Sequence, residues 1–395
     1  MQQDQEALRA NIKKIYLFNI LKSTIFVVPV MVMFLKDNGL SLMDALLLQS
    51  YFSLVMVVLE IPSGYIADSY GRKETLVFAS VMALCGILGY VVSYDFWDFL
   101  VSMTFMAISY SFTSGTLSAL VYDTLNGLDE VHRYQKIWGE SLFYGLIALA
   151  VASIVGAWIA QFDLRYPIYA TIPFFAMMIP LSLSFYEPKR EKAIFKDGYA
   201  NELITIAKKT FIQSAKLRWI IIYSAVIFAF NQSMFYLYQP YFELSGIDIA
   251  YFGVVFALFQ LVAGVVSKYA HQIERRLGER QSMISLTVAL SISYLLMSNF
   301  IYLFSFIFAF LQQFVRGFRN VIVADYINKL VDSTHRATIL SIESFVGKLL
   351  YAIILPIWGW VADIYSLETA LSVIGVTALL SGGSVLLILR KKGVL

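Results

Sequence analysis

Cysteine occurs once, at Cys85, so no disulfide framework can staple this chain and no cysteine cluster can hold a metal. The histidines, His132, His271 and His335, sit in polar loops and leave no ligating group, so no metal site is expected. Proline, at 8 residues, is too scarce for collagen-like or proline-rich disordered sequence. Charge is scarce too: Asp, Glu, Lys and Arg make up 14% of the chain, against about 25% in a typical soluble protein. A soluble protein of 395 residues could not cover its surface with so few charges.

What fills the sequence is apolar. Hydrophobic residues make up 59%, against about 45–50% in soluble chains, and mean hydropathy is +0.71. The composition defines a polytopic helical membrane protein. A crossing needs about 20 mostly apolar residues. The runs predict spans near 12–35, 42–68, 75–94, 98–125, 136–161 and 165–186, then 218–243, 249–271, 281–298, 300–329, 336–362 and 366–390. That is an all-α fold of twelve crossings, with the ninth and tenth separated only at Ser298-Asn299. A β-barrel is excluded because the runs are too long and do not alternate. The polar start, lacking a small-residue cleavage site after the first span, does not read as a signal peptide.

Basic residues predict the orientation. Of 30 Lys and Arg, 24 fall in the tails and the even-numbered loops, whereas the odd loops hold only Lys36 and Arg165. Both termini are therefore expected in the cytoplasm of a bacterial-type inner membrane. Cytoplasmic enrichment accounts for the basic clusters, and a net charge of +3 gives no case for nucleic acid.

The polar stretch 187–217 divides the chain into two six-span halves, 1–186 and 218–395. Within it, 201–212 has apolar residues at helical spacing opposite lysines; it reads as a surface amphipathic helix or a solvated linker. The halves repeat each other. Gly115, Asp123, Arg133, Glu140-Ser141 and Gly156 in the first correspond to Gly317, Asp325, Arg336, Glu343-Ser344 and Gly359 in the second. Duplicated six-helix units build many secondary transporters.

At the end of the second span stand Gly64, Asp68, Gly71, Arg72 and Lys73, in the order Gly-x-x-x-Asp-x-x-Gly-Arg-Lys. This closely resembles the loop signature between the second and third helices of the major facilitator superfamily. The resemblance extends over the whole chain through span count, central loop and orientation. It implies a secondary transporter working by alternating access, with Arg72 bridging to Asp123 and Asp68 capping the start of the eleventh span. Glu140, the first-half counterpart of Glu343, joins this gating set. The glycines are expected to permit a tight turn and close helix approach. Two departures weaken a standard drug/proton antiporter: Ser153–Trp158 lacks the proline of the antiporter signature, and Ser111 stands where an arginine is usual. The copy after the eighth span has Arg275 in place of the acid.

Charge inside spans is costly and marks function by default. Lys22, Arg316, Arg319 and Lys348 lie within spans, against the buried acids Glu60 and Glu343; Asp325 and Glu140 sit nearer the interface. Arg316 and Arg319 are one helical step apart and suit a carboxylate or phosphate. Their counterparts in the first half, Ser114 and Leu117, are uncharged. Lys22 and Lys348 would add attraction, and Asn231, Gln232 and Tyr236 would orient an amphipathic substrate. Glu60 is the preferred proton carrier, with Glu343 and Asp325 as alternatives. The competing account has Glu343 and Glu60 neutralising the arginines structurally.

No nucleotide loop or nucleophile–base set appears, so neither an enzyme nor a cofactor is expected. The sequence points to a proton-coupled transporter, an antiporter of the efflux kind, moving a small amphipathic organic anion. A proton symporter importing an organic anion is the alternative, and a transporter-shaped receptor or membrane enzyme is the other class. The expected partners are the lipid bilayer, a small organic substrate and protons, with the chain a monomer.

Overall fold

The computed structural model describes residues 2–188, 214–331 and 336–392, and every regular element among them is helical. The stretch 201–212, expected as a surface helix, and His335 lie outside the described residues. The long elements are α1 (Gln2–Ser23), α2 (Met31–Asp37), α3 (Leu42–Tyr70), α4 (Arg72–Val92), α5 (Phe96–Asn126) and α6 (Tyr134–Ala160). They continue as α7 (Tyr166–Leu183), α8 (Ala215–Leu244), α9 (Phe252–Asn299), α10 (Phe310–Leu330), α11 (Arg336–Ile364) and α12 (Leu367–Lys391). Their starts are set by local chemistry. Asp95 accepts from the backbone N–H groups of Trp97 and Asp98 at α5, Ser214 from Leu217 at α8, and Ser366 from Thr369 at α12.

Among the described residues, nine helical stretches are long and apolar enough to cross a membrane. The difference from twelve has physical causes. The stretch Ile249–Asn299 counts once, although Gly278 (φ 72°, ψ 169°) breaks the helical path between the expected eighth and ninth runs. Neither α5 nor α10 is in the set: serines and threonines dilute α5, and Gln312, Gln313, Arg316 and Arg319 dilute α10.

The first expected span is also broken. The helical path stops after Ser23 and resumes at Met31, with a short 3-10 turn at Val28–Val30 containing Pro29. Proline has no N–H to donate, and the break frees backbone groups that a membrane protein must satisfy internally. Thr171 on α7 accepts a hydrogen bond from the Phe26 N–H at 3.2 Å. Gly156 on α6 lies so close to the Phe26 carbonyl that a Cβ would collide with it. The glycine shared by the two repeats thus has a packing role here.

The chain forms two compact units. One contains α1, α2, α4 to α7 and most of α3; the other contains α8, α10 to α12, most of α9 and the first residues of α3. In the first, Arg165 ties three helix ends together. It donates to the carbonyls of Val91 at 2.8 Å and Ser93 at 3.1 Å and to the Asn38 side chain, and its guanidinium lies 4.1 Å from the Tyr94 ring centroid. In the second, buried tyrosines satisfy their hydroxyls across helices: Tyr294 donates to the Phe230 carbonyl at 2.6 Å and Tyr241 to Ser305 at 2.7 Å.

Candidate functional site

The signature at the end of α3 builds a charge network within the first unit. Gly71 separates α3 from α4 with φ at 135°, a backbone conformation that a side chain would strain. This turn folds Arg72 back, so its Nη2 meets Asp68 at 2.6 Å while its Nε donates to Asp123 on α5 at 3.2 Å. The expected bridge from Arg72 to Asp123 is therefore present, and Asp68 shares the same guanidinium. Gly64 corrects the expectation of close helix approach: a Cβ there would meet nothing within 4 Å.

One member of this network escaped the sequence reading. Glu187 accepts from the backbone N–H groups of Arg72 at 2.9 Å and Lys73 at 2.8 Å, placing a carboxylate on the positive end of α4. Asp363, near the end of α11, serves the start of α3 in the same way within the second unit, accepting from Leu42 at 3.1 Å and Met43 at 2.7 Å. Remote carboxylates of this kind leave no local spacing to detect.

The second unit carries a polar seam between α8 and α10. At one end Arg319, 8% exposed, donates to Glu343 on α11 and to Ser224 on α8 at 2.8 Å, and Ser224 donates to Glu343 at 2.6 Å. The guanidinium also lies 5.0 Å from the Phe228 ring centroid. Charge is matched within this cluster, while the Arg319 Nε is buried without a hydrogen-bond partner. Arg319 is paired with Glu343, as the competing structural account expects of one of the two arginines.

One helical step away the arrangement differs. Arg316 is half-buried, has no ion pair among the described residues, and interacts electrostatically with the Tyr238 hydroxyl. Its surroundings are neutral and polar. Asn231 donates to the Gln312 carbonyl at 2.9 Å, Tyr238 to the Gln312 side chain at 3.4 Å, and Gln313 to Tyr238 at 2.9 Å. The Gln312 Nε2 and the Gln313 Oε1 are buried without a hydrogen-bond partner. An orphaned buried polar atom costs roughly 1–3 kcal/mol. Here a donor and an acceptor are left over beside an arginine with no acid. Tyr238 is bordered by Phe242, Phe256 and Phe259, its centroid 4.7 Å from that of Phe259, which gives the seam an apolar wall.

The other expected residues divide between these clusters and their margins. Gln232 and Tyr236 are half-buried on α8, with Tyr236 near Tyr351, and Lys348 is half-buried on α11. Lys22, half-buried on α1 in the first unit, has no ion pair among the described residues. Glu60, expected to be buried, is a correction: it stands exposed on α3, although it shares a helical face with the buried Ser53 and Val57. Asp325 is exposed and pairs with Lys329 at 2.6 Å, and Glu140 accepts from Tyr16 at 2.6 Å. Gln312, Gln313 and Ser224 were missed. Two adjacent amides one turn before an intramembrane arginine were the available signal.

Apolar helices with a mid-helix charged seam and a charge-knotted turn define a multi-pass membrane protein of transporter type. The family model described as Major Facilitator Superfamily matches residues 15–298, and the chain belongs to that superfamily. Over 367 residues it is 21% identical to the uncharacterized MFS-type transporter YxaM of Bacillus subtilis (strain 168), covering 89% of each chain. Over 240 residues it is 23% identical to the quinolone resistance protein NorA of Staphylococcus aureus (strain MRSA252), covering 60% of this chain and 61% of NorA. The nucleoside transporter NupG shares the fold with a TM-score of 0.79 at 13% identity, covering 98% of this chain and 99% of that one. A POT family transporter solved with 5-aminolevulinic acid gives 0.71 at 13% identity, covering 97% and 96%. The protein is a transporter, not an enzyme.

Proposed function

We propose that the protein is a proton-coupled secondary transporter that exports a small amphipathic organic anion by alternating access. It acts as a monomer with twelve crossings and both termini on the cytoplasmic face of a bacterial-type inner membrane. In this reading α5 and α10 cross as well, their polar residues facing protein rather than lipid, and α9 crosses twice about Gly278.

The observation that carries the reading is Arg316. An arginine at the centre of a membrane helix costs about 2.5–3.5 kcal/mol on insertion scales. Arg319 offsets that cost with Glu343, whereas Arg316 is surrounded by neutral amides and a phenol. A carboxylate in the substrate would supply the missing acid, with the spare Gln312 donor beside it and the Gln313 acceptor for a polar hydrogen. The aromatic wall at Tyr238 suits an apolar body.

Glu343 takes the proton-carrier role in preference to the exposed Glu60. Protonating Glu343 would release Arg319 one step from Arg316, so the protonation state of Glu343 would set how much positive charge the anion meets. Asp68 is the gating acid, paired with Arg72 when the cytoplasmic side closes. The name of NorA, a resistance protein, supports export at the level of a distant relative.

The test uses inside-out proteoliposomes with an imposed pH gradient and radiolabelled probes: a quinolone and a set of amphipathic carboxylates. Gradient-driven accumulation of at least one carboxylate, lost in Arg316→Gln and in Glu343→Gln, is the expected result. Accumulation in Arg316→Gln equal to wild type would remove the anion assignment.

A further inference from the structure

The part of α9 beyond Gly278 runs antiparallel to α12 in the second unit. A Cβ on Gly382 would touch Thr287, and Ser291 donates to the Gly375 carbonyl at 2.7 Å. Beside this contact lies a groove of about 300 Å³ whose walls include Ile284, Val288, Leu379 and Leu387. These four side chains are 40%, 39%, 43% and 60% exposed. They lie on stretches apolar enough to cross a membrane, so they meet hydrocarbon rather than water. The groove offers little to a polar ligand: the hydroxyl of Thr287, its polar wall residue, is already hydrogen-bonded to Tyr223 at 3.0 Å. Gly383 also lines it, and a Cβ built there would meet nothing within 4 Å.

One end of the groove is charged. Arg280 and Arg390 both line it, and neither has an ion pair or side-chain hydrogen bond among the described residues. Glu279, adjacent in sequence to Arg280, interacts instead with Tyr326 and Lys329 on α10. Lys391 and Lys392 follow Arg390 and add positive charge at the same end. At 1.5 Å per residue, the groove reaches about 12 Å from Arg280 to Val288 and about 16 Å from Arg390 to Leu379. Half of a hydrocarbon core of about 30 Å is about 15 Å, the depth of one leaflet.

A head-group-level pair of free arginines above an alkyl-lined channel one leaflet deep matches one occupant. We propose that this groove is a binding site for an anionic phospholipid of the leaflet on the side of the basic C-terminal tail. Its phosphate lies between Arg280 and Arg390, and one acyl chain lies along Ile284, Val288 and Leu387 past Gly383. This site is separate from the seam at Arg316 and does not depend on the substrate assigned there.

The full-length protein in detergent, equilibrated with equal amounts of dioleoyl phosphatidylglycerol and dioleoyl phosphatidylcholine, reports on the site by native mass spectrometry. Two arginines near a membrane surface favour an anionic lipid by roughly tenfold to thirtyfold. The wild type should retain phosphatidylglycerol with a preference of that order, and Arg280→Gln with Arg390→Gln should bring it close to unity. Gly383→Leu places a side chain in open space, so it should remove the retained lipid while leaving the melting temperature in detergent unchanged. A phosphatidylglycerol preference that survives the double arginine substitution would overturn the proposal. So would a well-folded Gly383→Leu variant that retains the lipid as wild type does.

Discussion

Two pairs of matching acids in the repeated halves exchange roles between the units. Asp123 in the first unit has its side chain 19% exposed and grips Arg72, while its counterpart Asp325 is 50% exposed and pairs with Lys329 on its own helix. The second pair is reversed. Glu140 is 41% exposed, with Tyr16 and Lys136 as neighbours, whereas Glu343 is 12% exposed and holds Arg319 and Ser224. The duplication therefore preserved helices and landmark positions while their chemistry diverged. The first unit concentrates its charge at the α3–α4 turn, where it can lock a conformation. The second pairs its charge between helices, at Arg319 and Glu343, where the proposed reading puts ligand and proton.

The comparison is broken most directly at Glu343. Glu343→Gln leaves Arg319 buried without its acid, and removing one partner of a buried pair costs about 3–5 kcal/mol. The purified variant should show a large fall in melting temperature. Adding Arg319→Gln should restore much of it, because the uncompensated charge is then gone. A Glu343→Gln variant as stable as wild type would show that the pair does not hold the second unit together.

The next effect is at the turn. Hydrogen bonds to charged groups contribute about 1.5–3 kcal/mol, enough to shift a two-state population by tenfold or more. In a Cys85→Ala background carrying Ser114→Cys, Asp123→Asn should raise the rate of thiol labelling by about that factor. Unchanged labelling in both Asp123→Asn and Asp68→Asn would separate the network from gating. The smallest effect belongs to the counterpart. Asp325→Asn removes an exposed pair within one helix, worth less than about 1 kcal/mol. It should move the melting temperature little and leave labelling and transport near wild type, which sharpens the contrast with Asp123.

Most of this architecture was legible because long apolar runs and the duplication act through composition and order, both visible in one dimension. The Gly71–Arg72 turn was legible too, since a positive φ and a short chain reversal are local requirements. Three features were not. The break between Ser23 and Met31 depends on Thr171 and Gly156, which come from distant helices. Glu187 and Asp363 cap helices remote in sequence. Glu60 looked buried because its neighbours are apolar, but how far along α3 the packing covers that face is not a local property of the sequence. At the seam, the four intramembrane cations were evident, yet their difference was not. Only the placement of Glu343 against Arg319 shows that, of the two arginines, Arg316 is the one with no ion pair among the described residues.

That difference is open to one direct measurement. Matched amphipathic carboxylates and their carboxamides, equal in size and ring content, can be compared by thermal shift on wild type, Arg316→Gln and Arg316→Lys. The account predicts that at least one carboxylate raises the melting temperature of wild type while its amide does not. It further predicts that Arg316→Gln, itself within about 1 kcal/mol of wild-type stability, loses that response, with Arg316→Lys recovering only part of it. Equal stabilisation by carboxylate and amide, or a carboxylate response that persists in Arg316→Gln, would contradict the assignment of Arg316 to an anionic substrate.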